Sequence, residues 1–284
     1  MESTQLLAMV LLFCCTLVRP FAMRGAALHF NPFQATFVTG VFMCIVSAAL
    51  WPLYAPVFHE HAPTLLASPT IILMSVIKGV SLCGTIAMMQ VLRRYAAGSA
   101  EFRGPLTLGL MAICNAFLGE NLNTAQWASV AILSALGVLF VLRGGLACLS
   151  LRHKILFACL VLVGVIPGMA DQIVMTQTHW YIQLMFSGMG VLVSSIIFAR
   201  GRGLRAATQS LACLKAGSVW VVTEVLILMM LVTYVPVTVG GMAMMMSVPT
   251  IMLIGSLRWQ DGNWRMQTAF GALAYMAVMP IFIA

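Results

Sequence analysis

Lys78 and Glu224 stand in the middle of long apolar runs. An ionisable side chain so placed is costly unless it faces protein, a cavity or a partner of opposite sign. Arg19, Arg24, Glu101, Arg103 and Asp171 also fall inside apolar runs. Depth within the run ranks them. At 1.5 Å per residue, Lys78 and Glu224 each lie within roughly 3 Å of the middle of their segment, so the two are expected to meet at one level. A cation beside an anion there suits a substrate site or a gate at which a ligand or a proton competes for the pair. It also suits a structural ion pair that only holds helices together.

Arg24 and Asp171 invite a second pairing, but each lies roughly 10 Å past the middle of its run. The two helices are expected to run in opposite directions, which puts these side chains in two opposite vestibules, or snorkelling to the interface. Trp220 precedes Glu224 by one helical turn and shares its face, where it can stack on a ligand, cap Lys78 by a cation–π contact, or simply pack. Asn115 is an amide in an apolar run, suited to bond another helix or a ligand. Glu101 and Arg103 are two residues apart, so they face different ways, and they lie near the edge of their segment. Pro20 and Pro167 free backbone carbonyls within helices.

No cofactor or metal is expected. His59-Glu60-His61 reads as a solvated turn with no further ligand near it, and the eight cysteines lack metal-ligand spacing. Within apolar runs they behave as small hydrophobes. Gly164-x-x-x-Gly168 is a helix-packing pattern.

These residues need helices in lipid to position them. The chain is 62% hydrophobic and 8% charged, with mean hydropathy +1.02. A soluble domain carries about a quarter charged residues, so lipid must be the solvent for most of this surface. Ten segments of near-spanning length emerge, at 6–28, 33–54, 69–91, 97–118, 124–142, 155–175, 180–199, 216–235, 237–257 and 265–284. The first is interrupted by Arg19 and Arg24 and lacks a basic leader, so it reads as a retained helix. The polar stretch from Ala199 to Lys215 reads as a basic loop or a surface-lying helix.

The net charge of +8 is scattered between segments, with no stripe suited to nucleic acid. Odd-numbered connections hold Arg93 and Arg94; Arg143, Arg152 and Lys154; Arg200, Arg202, Arg205 and Lys215; Arg258 and Arg265. The even-numbered connections hold none. The positive-inside rule then puts both termini outside.

The halves, 1–146 and 147–284, repeat a pattern. Pro20 and Arg24 in segment one match Pro167 and Asp171 in segment six. Segments three and eight end in Leu92-Arg-Arg-Tyr95 and Leu231-Val-Thr-Tyr234, and segments four and nine carry Pro105 and Pro249. Segments five and ten follow Gly119-Glu120-Asn121 and Gln260-Asp261-Gly262. Five helices per copy is an odd number, so the second copy enters the membrane from the opposite side. The expected fold is therefore all-α, ten transmembrane helices in two inverted five-helix repeats, with a binding site near the midplane.

Phe117-Leu-Gly-Glu120-Asn-Leu, followed by Gln126-Trp127 and the small-residue helix from Ala131, resembles the drug/metabolite transporter superfamily in its ten-helix EamA-type form. Asn31-Pro-Phe-Gln-Ala-Thr-Phe-Val-Thr39 is similar to that family's second helix. Thr39 stands where the family often has Arg, and Asp261 stands in place of the second Glu. The resemblance implies secondary transport of small metabolites through a central cavity. It also implies cytoplasmic termini, against the placement of the basic loops.

The expected function is a secondary carrier of a small polar metabolite, in a bacterial inner membrane, working by alternating access about the Lys78–Glu224 level. One charge of each sign favours amino-acid-like zwitterions, with organic anions second and proton coupling open. The alternative is a non-transporting assembly partner or sensor. A membrane-embedded enzyme would need a nucleophile with its base, a carboxylate dyad or a metal triad, and no such motif is present.

Overall fold

A computed structural model describes residues 3–95, 100–234, 237–245, 247–259 and 264–283. Every regular element among them is helical: α1 (Ser3–His29), α2 (Pro32–Ala67), α3 (Pro69–Tyr95), α4 (Arg103–Phe117), α5 (Thr124–Leu142), α6 (Leu151–Val163), α7 (Val165–Met175), α8 (Trp180–Ala199), α9 (Leu204–Gln209), α10 (Leu211–Tyr234), α11 (Val237–Met245), α12 (Ser247–Trp259) and α13 (Trp264–Ile283). Among the described residues, seven helices are long and apolar enough to cross a membrane: α1, α2, α3, α5, the continuous α6–α7 run, α8 and α10. This is the architecture of an integral, multi-pass membrane protein.

Helix starts follow from local chemistry. The Asn31 side chain accepts from the Phe33 N–H at 3.0 Å, and Gln34 reaches back to the Asn31 N–H at 3.1 Å. Pro32 opens α2 where its missing N–H costs nothing. Asn123 and Gln126 start α5 by the same reciprocal capping, at 2.8 and 2.9 Å.

Several elements depart from the sequence expectations. Helix α2 does not stop near residue 54 but runs for 36 residues, through Pro52, Pro56 and Pro63. That is about 54 Å of helix, well beyond the roughly 30 Å of hydrocarbon. His59-Glu60-His61 is thus helical, not a turn. The extension is held where the Tyr54 ring stacks on Tyr181 at 5.2 Å and meets the edge of Trp180 at 5.0 Å. Helix α3 likewise runs on to Tyr95, so Arg93 and Arg94 belong to its last turn rather than to a connection. The basic stretch after α8, expected as a loop or a surface-lying helix, contains the short helix α9.

The sixth segment is kinked at Gly164, whose backbone stays in the α region (φ −63°, ψ −16°). Pro167 has no N–H for the carbonyl of Val163, and its ring crowds that carbonyl, so the regular helical ladder is interrupted one turn earlier.

Glycine sets the closest approaches. A Cβ on Gly79 would collide with the Ser187 carbonyl oxygen, and one on Gly190 would stand 2.6 Å from the Val76 carbonyl oxygen. A Cβ on Gly40 would come within 2.8 Å of the Leu192 backbone. Helix α8 therefore lies against both α2 and α3 with backbones nearly touching, on a core that includes Val38, Met43, Leu82, Leu184 and Val191. Helix α1 packs on α10, α3 on α7, α4 on α5, α12 on α13, and α5 on α13. Gly168 packs on the Met111 side chain of α4, so the Gly164-x-x-x-Gly168 face is indeed a helix contact.

Candidate functional site

Helix α3 presents Lys78, Leu82, Thr85, Met89 and Arg93 at spacings of three or four, which align on one face. Gly79 beside Lys78 clamps that helix to α8, fixing the level at which the ammonium projects. Lys78 is 1% exposed, and its Nζ lies 2.7 Å from Asp171 Oδ1 and 2.6 Å from Glu224 Oε1. One lysine thus joins α3, α7 and α10.

The triad continues into α8. Gln183, fully buried, donates its Nε2 to Asp171 Oδ1 at 2.9 Å, while its Oε1 accepts from the Ser75 hydroxyl one turn before Lys78. Polar groups in low dielectric are costly when unpaired, and this chain from Ser75 to Glu224 leaves the lysine and Asp171 well satisfied.

These charges border an internal cavity of about 170 Å³. Its walls hold Arg19, Lys78 and Arg103 against Glu101, Asp171 and Glu224, together with Thr16, Thr85, Thr107 and Trp220. Leu108, Met111, Met244, Met245, Val248 and Ile251, from α4, α11 and α12, make an apolar side. The Arg19 guanidinium carbon stands 4.6 Å from the Trp220 ring centroid. Behind the wall, the fully buried Arg93 donates from Nε and Nη2 to Glu101 Oε1, at 2.8 and 2.6 Å, and from Nη1 to Met23 Sδ.

The sequence-expected residues fall in three groups. Lys78 and Glu224 meet, as expected. Asp171 was expected in a vestibule and instead shares Lys78. Helix α3 extends to Tyr95, so Lys78 stands four residues on the N-terminal side of its midpoint, about 6 Å, and its own side chain adds further reach. Arg24 is half-buried and is not among the cavity-lining residues.

Trp220 does line the cavity, but the cation on its ring is Arg19, not Lys78. Asn115 is fully buried away from the cavity, where its Nδ2 lies 3.4 Å from Thr238 Oγ1. It belongs to a second junction. Glu120 accepts from the Thr238 backbone N–H at 2.8 Å, and its other oxygen bonds the Thr238 hydroxyl, so the Gly119-Glu120 turn caps the start of α11. Gln260, Asp261 and Gly262 lie outside the described residues, as do residues 97–99 of the fourth segment.

The sequence places Glu101 and Arg103 near a membrane edge and counts Arg19 among the intramembrane charges without giving it a role, and it does not single out Gln183. Arg19 carried a signal: Thr16, Arg19 and Met23 are three and four residues apart, the same facing pattern as Lys78 and Leu82. Gly164 leaves room for Arg103, since a Cβ there would stand 3.2 Å from Arg103 Nη1. Among the described residues no group of His, Cys, Asp or Glu could hold a metal ion.

No protein-family model matches this chain, and no curated protein matches it.

Proposed function

We propose that this protein is a secondary carrier whose ten helices form two inverted halves, 1–146 and 147–284, around a substrate cavity at the Lys78–Asp171–Glu224 triad. The observation that carries the reading is that triad. Its lysine comes from the first half and both carboxylates from the second, and all three line a cavity large enough for a small solute. A purely structural pair needs no cavity beside it.

The packing pattern supports the inverted repeat. Exchanging the halves sends α1 to α7, α2 to α8, α3 to α10, α4 to α12 and α5 to α13. The α1–α10 contact then becomes α7–α3, α3–α8 becomes α10–α2, and α4–α5 becomes α12–α13, and each of these pairs is present. The α2–α8 and α5–α13 contacts map onto themselves. The resemblance of Phe117–Leu122 and Asn31–Thr39 to EamA-type carriers points the same way, and Glu120 capping α11 gives the Gly-Glu turn a physical role.

In this reading the halves rock about the triad, opening the cavity to one side and then the other. Lys78 is the pivot, because breaking either of its ion pairs frees a carboxylate of the second half. A ligand or a proton that takes over one carboxylate therefore changes the contact between halves, which is how binding drives the motion.

The test is uptake into proteoliposomes of labelled amino acids, organic anions, amines and sugars. The reading predicts saturable uptake of at least one class, lost in Lys78→Ala. Uptake of every class at the level of protein-free liposomes, with a folded protein, would overturn it.

A further inference from the structure

We infer that the ligand of this cavity is a small organic monocarboxylate, its carboxylate held by Arg19 and Arg103 and its apolar body against the Met111–Met244–Met245 side. This rests on the carrier reading only for the purpose of the site; the binding chemistry stands independently.

The charges around the cavity do not balance. Lys78 holds both Asp171 and Glu224, and the buried Arg93 holds Glu101. Each of those carboxylates thus has a cation beside it, although Glu224 Oε1 makes no hydrogen bond. The chain has seven acidic residues: Glu60 is exposed near the end of α2, Glu120 caps α11, and Glu2 and Asp261 lie outside the described residues. Among the described residues, then, no carboxylate lies within ion-pair distance of Arg19 or Arg103. Arg93, Lys78, Arg19 and Arg103 together exceed Glu101, Asp171 and Glu224 by one positive charge.

The two arginines are also poor in hydrogen-bond acceptors. Arg19 rests on the Trp220 face, and its Nε is enclosed without a partner. Arg103 donates Nε to the thioether of Met89 at 2.8 Å, and a thioether is a weak acceptor. Each guanidinium carries five donors, and both line the cavity. A permanent cation with few acceptors around it in a cavity calls for an anion, and the planar fork matches a carboxylate with two parallel bonds.

One surplus charge fits a monoanion better than a phosphate monoester, which carries about −1.5 to −2. An amine would have to compete with Lys78 or Arg93 for each carboxylate here. The zwitterion suggested by one opposed pair in the sequence is less favoured as well, because Lys78 already lies against both Asp171 and Glu224. Opposite the charges, methionine thioethers and aliphatic groups offer an adaptable apolar wall, suited to a hydrocarbon or ring.

Thermal stabilisation of the purified full chain tests this directly, because a ligand that binds only the folded protein raises Tm. The probes are benzoate and hexanoate, their amides, and benzylamine. Tm should rise with the carboxylates and not with the amides or the amine. Arg19→Gln and Arg103→Gln should each weaken apparent affinity by at least tenfold, and Arg19→Lys and Arg103→Lys, which keep the charge, by less. Ligand-free melting of each variant establishes that it folds. Equal stabilisation by acid and amide, stabilisation by the amine, or no response to either carboxylate overturns the assignment. Carboxylate binding without any uptake leaves this inference standing and removes the carrier reading; uptake of another class without carboxylate binding does the reverse.

Discussion

Lys78 on α3 and Asp171 on α7 are 93 positions apart and lie 2.7 Å from ammonium to carboxylate, both side chains buried. That single contact ties the first half of the chain to the kinked helix of the second.

Removing the lysine leaves Asp171 and Glu224 buried without their counter-ion. Stripping one partner from a buried ion pair costs about 3–5 kcal/mol. Lys78→Met should therefore lower stability by that order, and Lys78→Met with Asp171→Asn and Glu224→Gln should recover most of it. Unfolding in detergent measures both. A triple variant no more stable than Lys78→Met would mean that the carboxylates are not what the lysine neutralises.

Gly79 allows α3 to touch α8. Gly79→Ala introduces a methyl that meets backbone atoms of Ser187 and Gly190, which cannot rotate away. Overpacking of this kind costs about 1–3 kcal/mol, and the displacement also shifts the adjacent Lys78. Both Tm and ligand affinity should fall. By contrast, Gly84→Ala on the same helix meets no atom within 4 Å and should leave both unchanged.

Glu120 bonds the N-terminal turn of α11 from the opposite half of the chain. Glu120→Ala orphans the Thr238 N–H and should destabilise by about 1–3 kcal/mol; Glu120→Gln, which keeps an acceptor, should cost less. Melting of the two variants beside the parent distinguishes a cap from a dispensable turn residue.

His179 lies outside the membrane-spanning helices and starts α8, its Nδ1 accepting from the Tyr181 N–H at 3.2 Å. Burial lowers its pKa below the usual imidazole value, with His61 adding to the shift and Glu60 opposing it. The unfolded chain then binds the proton more readily than the folded one. Stability contributed here is present above about pH 6.5 and is lost as pH falls through that value. Melting between pH 7.5 and 5 should show a decline that His179→Asn, a cap without a titrating ring, diminishes. An unchanged decline would assign it to other groups.

The membrane architecture was legible because lipid imposes long apolar runs that composition reveals directly. That Lys78 and Glu224 meet was legible too, since both stand well inside their helices, although α3 runs to Tyr95 and leaves Lys78 about 6 Å from its midpoint. Asp171 was misplaced for the same reason. Its depth was measured along a straight segment and against an α3 that ended too soon, and a few residues at either end move a side chain by a whole interaction distance. Partner choice was least legible. Whether Trp220 caps Lys78 or Arg19 depends on how α1 and α10 are rotated against one another, which periodicity within one helix does not report. Arg93 makes the point most sharply: by sequence it is a loop charge that orients the chain, whereas in the fold it is fully buried on Glu101.

Alternating access is tested most directly by exchange. Proteoliposomes loaded with a labelled ligand identified by uptake should release it slowly into buffer, and faster when the same unlabelled ligand is added outside. A carrier returns more readily with its site filled, so the account predicts this acceleration for the parent protein and its absence in Lys78→Ala. Efflux that is indifferent to external ligand, or equal to that of protein-free liposomes, would contradict it.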